Sequence, residues 1–156
     1  MSFISPAQVD DLLPLACAWA EEQERAILAA GLALDESQSA DARRVGVLFP
    51  ERIRLLRVDD IPFPTDPILA AAAAAAGFIS SATVGLTLRY GIFIRTAFWG
   101  QRRLVVHECA HTMQYERLGG FREFLRPYFL EFITPPGYPH GPLEQEARRL
   151  QIEACS

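Results

Sequence analysis

His107 and His111 are two of only three histidines in a chain of 156 residues, and they stand four apart with Glu108 directly after the first. On a helix, residues four apart lie about 40° apart in azimuth and one turn apart in height. Two imidazoles so placed offer nitrogens to one ion. Glu108 is rotated by about 100° from its neighbour, too far to join the same ligand set easily but near enough to reach a water beside the ion. Two neutral ligands, an open position and an adjacent carboxylate base are what zinc-assisted hydrolysis requires. With twelve glutamates in the chain, HExxH arises by chance about 0.004 times per such sequence.

Catalytic zinc normally takes three protein ligands, so a third must come from elsewhere. The downstream candidates are His140, Glu144 and Glu146. Glu144 and Glu146 lie about 200° apart on a regular helix and cannot both face one ion. Glu144 follows Pro142 closely, where a rigid turn can aim it. Glu146 has Arg149 three residues on as a surface partner. Glu123 and Glu131 lie in a helical pattern of alternating charge and read as a solvated face. His140 sits in the turn-rich "ITPPGYPHG", exposed or as a substitute ligand. Tyr138, Tyr115 and Tyr128 are candidate oxyanion donors or core residues. Cys109 points away from the histidine face and reads as a small core residue.

These side chains need elements to hold them. Arg102–Leu118 has the helical pattern, and Gly119 and Gly120 suit a left-handed cap. "PLEQEARRLQIEA" is a last helix with Pro142 at its start. "FREFLRPYFLEF" is another, with Pro127 as kink or boundary. Pro6–Leu34 reads as an amphipathic helix burying Leu12, Leu15, Ala16, Trp19, Ala26, Ile27 and Ala30. Asp35–Arg44 is a polar connector that can hold a short helical piece. At least one strand falls in "VGVLFPERIRLLRVDDIPFP", and "TVGLTLRYGIFIRTAFW" gives two strands or one bent at Gly91. The order is α+β.

Bulk properties narrow the function. Half the residues are apolar, 22% are charged and the net charge is −4, so no basic field attracts nucleic acid. Three cysteines without CxxC spacing argue against a disulfide framework and fit a reducing, cytoplasmic setting. "LLPLAC" resembles a lipoprotein cleavage site only faintly, with Asp10 and Asp11 where positive charge is needed. The uncharged Pro67–Leu88 is long enough for a membrane span, but its weakly apolar alanines, glycines and hydroxyls read better as a buried Ala-rich helix running into a strand.

"HECAHTMQYERLGG" followed by "PLEQEARR" resembles the zincin-like metallopeptidases of the gluzincin type, in particular small bacterial domains of the DUF4157 type. The resemblance covers roughly residues 87–149. It implies a single zincin-like domain over residues 1–156, with an N-terminal helix and first strand region in 1–60. The sheet remainder, the HExxH helix and the third-ligand helix then occupy 61–156. It implies a small mixed sheet whose edge strand, in "GLTLRYGIFIR", packs against the HExxH helix and receives an extended peptide or protein partner, followed by a helical C-terminal half. Carried over by position, His107, His111 and Glu144 hold one zinc ion and Glu108 is the general base for zinc-activated water in peptide hydrolysis. Glu146, His140 and Tyr138 are the alternates. Arg148 stands where the family often has an aspartate, so that supporting carboxylate is missing or supplied elsewhere. Two other readings remain: a catalytically weak or inactive zincin-fold module that binds peptide or protein, and a structural helical protein with a coincidental HExxH.

Overall fold

The N-terminal helix is started by side chains that replace missing backbone bonds. In the computed structural model, which describes residues 4–156, Ser5 Oγ accepts from Gln8 N–H at 3.2 Å and Gln8 Oε1 accepts from Ser5 N–H at 2.7 Å. With Pro6 at the first position, this box opens α1 (Pro6–Ala30). The buried face is Val9, Leu13, Ala16, Ala20, Glu24 and Ile27. That corrects the expected stripe: Leu15, Ala26 and Ala30 are exposed, and the charged Glu24 lies inside. The helix also stops four residues short of Leu34. A Cβ on Gly31 would come within 2.7 Å of the Ile27 carbonyl and 3.0 Å of that of Leu55, so the chain passes close to the sheet there and continues as strand β1 (Leu32–Ala33).

The polar connector is helical throughout. Asp35 and Gln38 form a second capping box and open α2 (Glu36–Arg44). The next elements are β2 (Arg54–Val58), α3 (Pro67–Ala76), β3 (Gly85–Leu88), β4 (Gly91–Arg95), α4 (Arg102–Leu118), α5 (Phe121–Ile133) and α6 (Pro142–Ala154). Pro127 lies inside α5 without ending it. The sheet order is β1-β2-β4-β3, with β2 and β4 parallel and the other two pairings antiparallel. The class is therefore α+β around a small mixed sheet.

Central strand β4 explains the two layers. Its side chains alternate, with Phe93 entering a cluster with Leu13 and Ile27 of α1, Phe124 and Leu125 of α5. Ile92 and Ile94 enter the other, with Val105, Val106 and Cys109 of α4 and Ala147 of α6. A strand covered on both faces needs no polar positions, which is why it reads GIFI. Each fully buried Leu or Ile in these layers stabilises by roughly 1.5–3 kcal/mol.

The uncharged stretch from Pro67 divides into a ten-residue helix and an edge strand. Asp66 caps α3 by accepting from the N–H groups of Ile68 and Leu69, and Gly77 at φ 72° ends it. The helix is not buried as expected: only Leu69 and Ala73 are, because a run of alanines has little apolar surface to commit to any face. Among the described residues no helix is long and apolar enough to cross a membrane.

Candidate metal centre

Helix α4 brings His107, Glu108 and His111 to the floor of a cavity of about 480 Å³, walled by the 77–87 segment, α5 and α6. Glu144, in the first turn of α6, faces them and is buried. His107 Nε2 lies 2.7 Å from Glu144 Oε1, and His111 Nε2 lies 3.1 Å from Glu144 Oε2. The ligand atoms of these three residues lie within 4.8 Å of one another. The Tyr128 hydroxyl donates to Glu144 Oε2 at 2.9 Å. Tyr128 is thus a buried partner of the carboxylate.

The protonation pattern follows from Gln114. Its amide nitrogen donates to the Leu143 carbonyl at 2.9 Å and to Glu146 Oε1 at 2.8 Å. Both N–H donors are used, so the amide oxygen, 2.8 Å from His111 Nδ1, must accept from that nitrogen. A neutral His111 is then protonated on Nδ1 and presents the lone pair of Nε2 to a carboxylate oxygen. Two acceptors face each other, and only a positive species between them relieves the repulsion. Without metal that species is a proton. Burial disfavours the His111 cation, but the hydrogen bond to Glu144 and the charges of Glu108 and Glu144 outweigh it and push its pKa up to about 9. Glu144 answers in the opposite sense: burial opposes its charge, yet the bonds to His107 and His111 hold it well below the usual carboxylate range. Two imidazoles and an ionised carboxylate are a donor set that fits zinc.

Glu108 is held for a different task. Thr87 Oγ1, on β3, lies 2.8 Å from Glu108 Oε1 and 3.0 Å from the Glu108 carbonyl, and its one proton serves both acceptors. β3 can come this close because Gly85 has no side chain. A Cβ there would sit 3.2 Å from Glu108 Cγ and Cδ. Glu108 is buried, and with the histidines it lines the cavity.

The remaining candidates separate cleanly. Glu146 points away from the triad: Arg117 donates to both its oxygens, at 2.9 and 2.7 Å, and through Gln114 it steadies His111. Arg149, its expected partner, reaches Glu153 instead. His140 is exposed and does not line the cavity. Tyr138 is at the cavity wall, its ring stacked on Phe132 at 4.9 Å and 54% exposed. Tyr115 is buried and donates to the Thr87 carbonyl at 3.2 Å. Cys109 is in the core, where burial pushes its thiol up to about 12.

Glu131 is not on a solvated face. Its Oε1 accepts from the Leu143 N–H at 2.9 Å, which caps α6 and fixes the turn that carries Glu144. Among the described residues its Oε2 is buried without a partner, and burial raises the pKa of the Glu131 carboxyl. Sequence alone assigns no role to Gln114 or Thr87 and puts Glu131 on a solvated face. Only Gln114 left a sequence signal, three residues after His111 on the same helix.

No protein-family model, curated protein or solved structure matches this chain.

Proposed function

We propose that this chain is a zincin-type metallopeptidase that holds one zinc ion on His107, His111 and Glu144. The observation that carries the reading is the confrontation of His111 Nε2 with a carboxylate held ionised, with His107 Nε2 alongside. Zinc bound there supplies a Lewis acid and makes water acidic enough to act near neutral pH. Glu108 takes the proton of the attacking water and returns it to the leaving amine, while Thr87 keeps the carboxylate oriented. Strand β3 ends the sheet, antiparallel to β4 and with no strand on its other side among the described residues, which supports reading it as the strand that receives substrate. An extended peptide pairs with its open side across the cavity.

Elemental analysis of purified full-length protein tests this first. About one zinc per chain is expected, lost in His107→Ala and His111→Ala. Folded wild type that takes up no zinc on dialysis against the metal would sink the reading. Glu108→Gln should keep the ion while peptide hydrolysis falls by orders of magnitude.

A second reading, a zinc-holding module that binds peptide with little or no catalysis, is favoured by Arg148 at the position where the resemblance puts a carboxylate. Zinc uptake with no cleavage across a broad peptide library would select it.

A further inference from the structure

The wall beside the triad carries two arginines. Arg103 precedes His107 by four residues on α4, and Arg148 follows Glu144 by four on α6. Each therefore shares a helix face with a proposed ligand, about 6 Å along the axis from it. The two displacements run the same way, because α4 and α6 are antiparallel. Gln114 bonds to the Leu143 carbonyl at one end, and Arg102 Nη2 donates to the Ala154 carbonyl at 3.2 Å at the other. Both arginines are exposed and line the cavity that holds His107, Glu108, His111 and Glu144.

Pairing sets these two apart from the other arginines of the same helices. Arg102 pairs with Asp41, Arg117 with Glu146 and Arg149 with Glu153. None of those three lines the cavity, and among the described residues Arg103 and Arg148 make no ion pair. A chain with net charge −4 thus turns two uncommitted cations toward its proposed site.

We infer that Arg103 and Arg148 form a carboxylate-binding subsite, so that the preferred peptide carries a free C-terminal carboxylate or an acidic side chain within about two residues of the scissile bond. The inference rests on the peptidase reading above and names its substrate class. Strand direction agrees with it. β3 advances alongside α4, with Gly85 against Leu104 and Glu108, and the Arg89 carbonyl accepting from Thr112 Oγ1 at 2.6 Å. A peptide added antiparallel to β3, the stronger ladder, runs back toward Gly85 and delivers its C-terminal part to the arginines.

The test uses three hydroxamates, each a zinc-binding group followed by two residues. One is dialanine as the free acid, one its C-terminal amide, and one the amide with aspartate in place of the second alanine. Binding to zinc-loaded, full-length protein is measured by calorimetry for wild type and for the Arg103→Gln/Arg148→Gln double variant. At least one anionic probe should bind wild type about tenfold tighter than the neutral amide. That advantage should vanish in the double variant while the neutral amide binds as before. Which anionic probe has the advantage tells a terminal carboxylate from an acidic side chain. Equal binding of all three probes to wild type overturns the subsite, as does an advantage that survives the double substitution. If even the neutral amide fails to bind, the zinc reading falls, and the subsite with it. That outcome does not depend on the arginines.

Discussion

Glu24 and Glu144 are both buried to 3% exposure, and both are fully engaged by donors. Glu24 receives Arg89 Nε at 2.9 Å, Arg89 Nη2 at 2.6 Å and the Tyr90 N–H at 3.0 Å. Its partner is always charged and geometrically matched, so the pair is complete as folded. Glu144 has two imidazoles and one hydroxyl instead. An imidazole satisfies a carboxylate only while it carries a proton on the facing nitrogen, so that position is exchangeable. The same buried carboxylate chemistry gives a structural joint with arginine and, with histidine, the site proposed here to hold a cation.

Exchanging the two carboxylates should expose that difference most sharply. Glu144→Ala should weaken zinc binding by more than about 100-fold, beyond the usual effect of losing a supporting residue. Glu24→Ala should leave zinc stoichiometry unchanged. Competition with a chromogenic chelator reads both. Comparable loss in the two variants would mean that Glu144 is a packing residue like Glu24.

Stability should respond in the reverse order. Glu24 holds the turn between β3 and β4, where Arg89 adopts φ 61°, a left-handed backbone that a non-glycine residue keeps only under constraint. Arg89 is partly exposed, so water recovers some of what it loses. Glu24→Ala should cost about 2–3 kcal/mol, measured by denaturant unfolding of metal-free protein. Removing Glu144 in that same metal-free protein should cost less, since a histidine, unlike Arg89, can shed its proton and is not left as an unpaired cation.

A smaller effect bears on Glu146. Its link to the site runs through Gln114 alone, so Glu146→Ala should weaken zinc by about 10- to 100-fold, well short of Glu144→Ala. Arg117→Ala should fall lower still, because Gln114 keeps its bond to the Leu143 carbonyl. If Glu146→Ala matched Glu144→Ala, the ranking by contact would fail.

Several of these features were legible in the residues. Histidine spacing marks the α4 face and Gly119 and Gly120 its end, and of two carboxylates about 200° apart Glu144 is the one that faces the histidines. The hidden parts share one cause, a partner distant in sequence. Glu24 occupies a core position of α1 because Arg89, far along the chain, meets it there. Apolar spacing alone gives that face to Ala26 and Ala30, which are exposed. Glu131 looked like part of a charged helix surface, yet it lies under the first turn of α6. Thr87 is one hydroxyl in an edge strand, and nothing local marks it as the support of Glu108.

Asp41 extends the arginine side of the comparison to pH. It is buried and takes two bonds from Arg102, each 2.9 Å, and one from Arg44 at 2.6 Å, joining α2 to the start of α4. The Arg102 hydrogen bonds lower its pKa, burial opposes, and the charges of Arg102 and Arg44 add to the lowering. A carboxylate depressed on folding contributes stability above its unfolded pKa of about 3.9 and loses it as pH falls through the folded value. Asp41→Asn should therefore be less stable than wild type at neutral pH. The gap should close as pH falls below about 4, as Asp41 in the wild type takes up its proton. Urea midpoints collected across that range would show the two curves converging. Parallel curves down to the acid limit would mean that Asp41 acts by shape and not by charge, and would remove it from the class that Glu24 defines.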